Sequence, residues 1–192
     1  MAILRTKTAE QALGAARAVI TGGFGIVEVT FGVPNAVDVI AKIVSDNPGL
    51  LVGAGTVLTR DQANAAVDVG ARFLVSPCVS AEMMQVGRDR GIATIPGAFT
   101  PTEIYNAWSA GADIIKLFPA VANGPEYLRA IRGPLPQIPI MPTSGVSTAN
   151  VADWFGAGAV GSVLDPALIH SGAWETLTAR ARDFVEAVAN AR

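Results

Sequence analysis

The sequence predicts an α/β fold of the (β/α)8, or TIM-barrel, type from three observations: evenly spaced glycines, short apolar runs that follow them, and amphipathic segments in between. Gly22, Gly49, Gly70, Gly91, Gly111, Gly133 and Gly158 are 27, 21, 21, 20, 22 and 25 residues apart. Glycine just past a helix end adopts the left-handed conformation without a Cβ penalty, so the recurrence marks seven helix-to-strand joints. Seven joints imply eight strands, in units of roughly 24 residues. A doubly wound open sheet is the alternative with the same alternation.

The first strand is expected at residues 2–5. The others fall at 25–30, 50–52, 72–75, 92–95, 113–118, 138–141 and 159–162, all apolar and rich in branched side chains. Such runs suit parallel strands covered on both faces. Helical spacing links Ala63, Ala66, Val67 and Gly70, then Val151, Trp154 and Phe155, then Leu177, Ala181, Phe184 and Val188. Met83, Met84, Trp108, Trp154 and Trp174 fall in helical segments and read as core or subunit contacts.

Composition narrows the function classes. With 51% hydrophobic and 16% charged residues the 192-residue chain is the reverse of a disordered one, and residues 1–192 read as a single domain. A net charge of −2, with Lys and Arg scattered singly, offers no stripe for nucleic acid. The apolar start ends at Arg5, too short for a signal sequence or membrane span, and Cys78 is the only cysteine. A cytoplasmic location follows as an expectation. The mean hydropathy of +0.41 is high for a lone soluble chain. Strands buried on both faces account for much of it, and subunit contacts are expected to cover the rest.

Barrels of this kind carry their chemistry at the C-terminal ends of the strands. Those ends hold few charged residues: Arg5, Glu28 and Lys116. Lys116 lies between Ile115 and Leu117, where a poorly solvated ammonium loses its proton more easily. The neutral amine is a nucleophile that can form a Schiff base with a ketone. The alternative is a lysine that snorkels to solvent or pairs with an acid. Glu28, between Val27 and Val29, is expected to have a raised pKa suited to proton transfer, or else merely to neutralise Lys116 or Arg5.

The residues Thr143-Ser-Gly145 and Gly161-Ser162 follow the expected seventh and eighth strands, the usual phosphate position in this fold. Ser147 or Thr148 is a candidate N-cap there, so ordinary turn chemistry also explains part of the pattern. The Gly53-Ala-Gly-Thr56 run lacks the third glycine and distant acid of a dinucleotide fingerprint. His170 is the lone histidine, which excludes a multi-histidine metal site and suggests a surface or packing role. Cys78 reads as a small hydrophobe near the mouth of strand four.

In combination, Val27-Glu-Val-Thr30, Val52-Gly-Ala-Gly-Thr-Val57, Val75-Ser-Pro77, Ile95-Pro-Gly97, Thr100-Pro-Thr-Glu103, Lys116-Leu-Phe-Pro119, Gly124-Pro125 and Pro142-Thr-Ser-Gly145 resemble the 2-keto-3-deoxy-6-phosphogluconate (KDPG) aldolases. That family includes 4-hydroxy-2-oxoglutarate (KHG) and 2-keto-3-deoxy-6-phosphogalactonate (KDPGal) aldolases. The resemblance runs in order from Arg5 to about Leu168. It implies a cytoplasmic class I aldolase without metal or other cofactor, acting on a small 2-keto acid, on a barrel that forms a homotrimer. By position it makes Lys116 the Schiff-base lysine and Glu28 the general acid/base. Arg5 and Thr56 would hold the pyruvyl carboxylate and orient the carbinolamine, Pro77 and Phe118 would wall the pocket, and Thr143 would touch substrate. Ser144, Gly145, Gly161 and Ser162 would form the phosphate end.

The chain departs from the family pattern in three places. Gly32 stands where some members have arginine, Ser144 replaces the first glycine of Pro-Thr-Gly-Gly, and the N-terminal helix that often covers the barrel floor is not part of the sequence. A phosphosugar isomerase that uses Glu28 as base, and a catalytically silent trimeric assembly subunit, are the rival readings.

Overall fold

Parallel strands alternate with helices in the order that the glycine spacing requires. The computed structural model describes residues 1–160 and 172–191. The strands are β1 (Ala2–Leu4), β2 (Ile26–Thr30), β3 (Leu51–Gly55), β4 (Phe73–Val75), β5 (Ala93–Ile95), β6 (Gly97–Ala98), β7 (Ile115–Leu117) and β8 (Ile140–Pro142). β1 to β5 pair in sequence order, as do β6 to β8, and every pair is parallel.

Pro96 separates β5 from β6 because it has no N–H to give the ladder. Its carbonyl still accepts from Lys116 N–H at 2.9 Å, and Thr94 O accepts from Asp113 N–H at 3.1 Å, so pairing continues across the break. The strand expected at 92–95 therefore runs on to Ala98. At the far edge Val160 N–H donates to Ile140 O at 3.0 Å. The remainder of the expected eighth strand, including Gly161 and Ser162, lies outside the described residues, as does His170. Strand order and direction, with a helix after each strand once β5 and β6 are taken as one, are those of an α/β barrel.

The helices are α1 (Ala9–Thr21), α2 (Ala36–Asp46), α3 (Arg60–Asp68), α4 (Ala81–Arg90), α5 (Pro101–Ser109), α6 (Gly124–Arg132), α7 (Val151–Gly156) and α8 (Trp174–Asn190). Side chains of Thr8, Thr59, Ser80 and Thr100 accept from backbone N–H groups in the first turns of α1, α3, α4 and α5. Thr59 with Gln62, and Thr100 with Glu103, complete reciprocal capping boxes. The Thr100-Pro-Thr-Glu103 motif thus starts a helix. None of the helices among the described residues is long and apolar enough to cross a membrane.

Two of the glycine joints differ from expectation. Gly22 has φ −78°, and Gly23, at φ +97°, makes the left-handed turn instead. A Cβ on Gly22 would strike Ala181, so this glycine serves the α1–α8 contact. Gly133 is right-handed, because helical hydrogen bonding continues past it from Leu135 N–H to Ile131 O at 3.2 Å. Helix α7 starts after Asn150, not at Ser147 or Thr148. The Asn150 carboxamide accepts from Ser147 N–H and donates to Gly145 O, both at 2.8 Å, which ties the turn from behind.

The apolar interior has two parts. A large shell packs outward-facing Val27, Val29, Val52 and Ala54 against the helices, and a small plug of Ile3, Phe73, Val75, Ile95 and Met141 fills the barrel axis. Period-two alternation turns Ile26, Glu28 and Thr30 of β2, and Leu51, Gly53 and Gly55 of β3, toward that axis. Phe73 lies over Gly53, where a Cβ would collide with its ring. Below the plug an open cavity of about 530 Å³ is lined by Ile26, Leu51, Ile114 and Val160 at the starts of the strands.

The packing of Phe73 on Gly53 gives a stability prediction. Gly53→Ala should cost about 1–3 kcal/mol in urea denaturation, the usual range for overpacking. Adding Phe73→Leu should return most of that loss. An unchanged midpoint for the single variant would contradict this packing.

Candidate active site

The plug stops one layer short of the mouth, and the next inward-facing residues up are polar. Glu28, centred on β2, is fully buried, and Lys116, centred on β7, is only 4% exposed. The snorkelling alternative for Lys116 is therefore excluded. Its Nζ stands 5.3 Å from the centroid of the half-buried Phe118 ring, which faces the same way two residues on. The ion pairs Lys42–Asp46, Arg90–Asp68 and Arg129–Glu126 lie on the surface, and none involves Lys116, so Lys116 is not locked to an acid. Both carboxylate oxygens of Glu28 also lack a hydrogen-bond partner.

The electrostatics follow from burial. Desolvation pushes the Glu28 carboxyl above the ordinary carboxylate range, and the charges of Lys116 and Arg5 pull it part of the way back. Desolvation also pulls the Lys116 amine below the ordinary lysine range; Glu28 opposes that shift and Arg5 adds to it. Arg5 itself is exposed, just past the end of β1, and its field reaches both groups.

The other expected residues among the described ones sit around the same mouth. Thr56 follows β3 with φ +57°, a left-handed conformation that costs a β-branched residue about 1–3 kcal/mol. Pro77 follows β4, half-buried, with its carbonyl packed so closely on Gly97 that a Cβ there would collide. Thr143 follows β8; it is buried and its hydroxyl has no partner. Ser144 and Gly145 both have φ +80°, and Gly145 lies against Val121. Gly161 and Ser162 cannot be placed, being outside the described residues. Cys78 is exposed, contrary to its reading as a small hydrophobe: Ser76 takes the buried place, and its hydroxyl donates to Cys78 O at 2.6 Å.

Two residues at the mouth carry more than the sequence reading assigned them. Gly55 is the seat of the Glu28 carboxylate, since a Cβ on it would collide with Oε1. Thr30 is fully buried with an unpartnered hydroxyl. Both lie on the inward face beside Glu28 by simple alternation, so the signal was present. Among the described residues no three His, Cys, Asp or Glu side chains are grouped to hold a metal ion. A desolvated amine, an unpaired carboxyl group and a cation at the rim can condense with a keto acid and move protons on the adduct.

Comparison with known proteins agrees with this chemistry. The family model for KDPG and KHG aldolase matches residues 1–180. The KHG/KDPG aldolase of Escherichia coli (strain K12) is 36% identical over 190 residues, which cover 96% of this chain and 89% of that protein. A native KDPGal structure superimposes with a TM-score of 0.92 at 35% identity, covering 99% of this chain and 94% of that one. The KDPG aldolase of Legionella pneumophila, solved with pyruvate as a covalent carbinolamine intermediate, superimposes with a TM-score of 0.85 at 30% identity, covering 94% and 92%.

The buried amine should weaken the fold. Lys116 has a lower pKa folded than unfolded, so its cost is full below the folded-state value and fades as pH rises from there toward the ordinary lysine range. Lys116→Met should therefore raise the thermal midpoint, by about 2–4 °C per kcal/mol relieved. The gain should be largest in mild acid and shrink in alkali. A gain that grows with pH would contradict the assignment of a desolvated amine.

Proposed function

The chain belongs to the KDPG and KHG aldolase family, and from that premise we infer a class I lyase that cleaves 2-keto-3-deoxy-6-phosphogluconate reversibly to pyruvate and glyceraldehyde 3-phosphate. The observation that carries this reading is the pair Lys116 and Glu28, buried in one barrel interior without an ion pair to hold either. The neutral Lys116 amine attacks the C2 ketone, and loss of water leaves an iminium. Glu28, through a water, takes the proton of the C4 hydroxyl. The C3–C4 electron pair then moves into the iminium, giving an enamine and releasing the aldehyde. Glu28 returns its proton to C3, and hydrolysis frees pyruvate and the amine. The iminium is the electron sink, so the cleavage step calls for no metal.

In the same reading Arg5 and Thr56 hold the pyruvyl carboxylate, Pro77 and Phe118 wall the keto acid, and Thr143 contacts substrate. Ser144, Gly145, Gly161 and Ser162 take the phosphate. Cleavage of 4-hydroxy-2-oxoglutarate to pyruvate and glyoxylate uses the same machinery without the phosphate end. KDPGal is the second reading: its structure is as similar in sequence, 35% against 36% for the KHG/KDPG enzyme. We also propose that residues 1–192 act as one domain in a cytoplasmic homotrimer. The exposed apolar side chains of Leu58, Val79 and Tyr105 support a covered face, and a monomer by light scattering at micromolar concentration would count against it.

Borohydride with pyruvate should reduce the iminium and mark Lys116 irreversibly in a peptide map. The rate of marking should rise with pH as the amine loses its proton, with a midpoint below the ordinary lysine value of about 10.4. An active but unmarked enzyme, or turnover that survives Lys116→Arg, would overturn the Schiff-base mechanism.

Ser144→Gly tests the phosphate end. It removes a side chain at φ +80° and should add about 1 kcal/mol of stability. It should raise kcat/KM severalfold for the phosphorylated substrates and leave 4-hydroxy-2-oxoglutarate unchanged. An equal effect on both classes would place the phosphate elsewhere.

A further inference from the structure

The buried side-chain polar atoms without a partner, among the described residues, belong to Glu28, Thr30, Thr143 and Trp154. Trp154 lies in the outer shell on α7, whereas the other three line the mouth of the barrel. Thr30 is the one that neither capping nor the roles assigned above explain. Leaving a buried hydroxyl unsatisfied costs about 1–3 kcal/mol, so its usual fate is a protein or water partner.

Its placement identifies the partner. Thr30 follows Glu28 by two residues on β2, so the two side chains share a face about 7 Å apart along the strand. Thr30 is in register with Gly55, and Gly55 is where the Glu28 carboxylate rests. Hydroxyl and carboxylate thus flank one position without bonding to each other. Gly32 lies beside the same hydroxyl, where a Cβ would be 3.6 Å from Thr30 Oγ1, an ordinary contact.

We propose that Thr30 is a positioning residue: its hydroxyl and the Glu28 carboxylate together hold the water that relays protons between Glu28 and the substrate. Thr30 donates to the water oxygen, and the water donates one hydrogen to Glu28. Its remaining lone pair then points at the C4 hydroxyl. In cleavage the C4 proton passes to the water while a water proton passes to Glu28, so the water is regenerated. The return step delivers the proton to C3 of the enamine by the reverse route. A single lost hydrogen bond to this water is worth about tenfold in rate.

The proposal deepens the aldolase reading and rests on it. The test compares Thr30→Val, Thr30→Ala and Thr30→Ser by steady-state kinetics across pH, by exchange of pyruvate methyl protons in deuterated water, and by the yield of borohydride marking. Val and Ala should each lower kcat and slow the exchange by about tenfold, move the acidic limb of the pH profile, and leave KM and marking yield near those of the unaltered enzyme. Ser should restore rate and profile. Normal kinetics in the Val and Ala variants, or equal loss in all three, would overturn the role of the hydroxyl while leaving Lys116 marking intact. Absence of marking in the unaltered enzyme would instead overturn the aldolase reading itself.

Discussion

An amine and a carboxyl group share one buried interior, and neither has the partner that would let it hold its charge cheaply. Burial pushes Glu28 toward its acid form and Lys116 toward its neutral form, while their mutual attraction pulls the other way. An ion pair in direct contact would let the attraction win and give a fixed ammonium and carboxylate. Holding the two apart keeps both protons exchangeable, which is the state that amine condensation and proton relay require. The fold supplies that separation by placing the groups on β2 and β7, strands of two different sheets.

The rest of the interior adapts to this pair. On β3 the inward positions above Leu51 are Gly53 and Gly55, and each vacancy is filled from a neighbouring strand. Phe73 covers Gly53 as part of the apolar plug, and the Glu28 carboxylate lies over Gly55. The boundary between packing and chemistry therefore runs between two glycines two residues apart. The strain of a left-handed Thr56 directly after them, and of Ser144 across the mouth, adds to the cost of the buried charges. The outer shell offsets that cost. Its branched side chains and alanines interlock strands with helices over most of the chain, whereas the plug is only five buried residues.

Much of this was legible in the sequence because alternation and burial are written residue by residue. A lysine or glutamate between two branched apolar residues has few options in a strand buried on both faces, and the structure places both as that argument requires. The left-handed glycines at 49, 70, 91, 111 and 158 were legible for the same local reason. Gly22 and Gly133 were not, because their conformations depend on α8 and on a helix that runs past its expected stop. Long-range packing of that kind leaves no trace in spacing. Gly55 and Thr30 failed to stand out for a different reason: alternation puts both on the inward face, but Gly55 gains meaning only when the neighbouring strand lays Glu28 over it, and the Thr30 hydroxyl only when burial leaves it without a partner. The exposure of Cys78 was hidden likewise, since only the turn geometry decides that Ser76 and not Cys78 is enclosed.

The charge at the mouth carries the argument one step further. Besides the two groups themselves, Arg5 is the cation whose field reaches both members of the pair; the N-terminal amine acts on Glu28. Desolvation alone would favour a neutral amine with a neutral acid, and attraction alone would favour two charges. Arg5 lowers the pKa of both groups, so it favours the mixed state, neutral amine with ionised carboxylate, in which the proposed reaction begins. Once the iminium forms, a fixed positive charge replaces the neutral amine in the interior. In the proposed mechanism the keto acid's own carboxylate, held near Arg5, would then balance that charge without returning a proton to Lys116. In the proposed mechanism the residue that would recruit the substrate also biases the protonation of the pair, within the larger effects of burial and of Lys116 and Glu28 on each other.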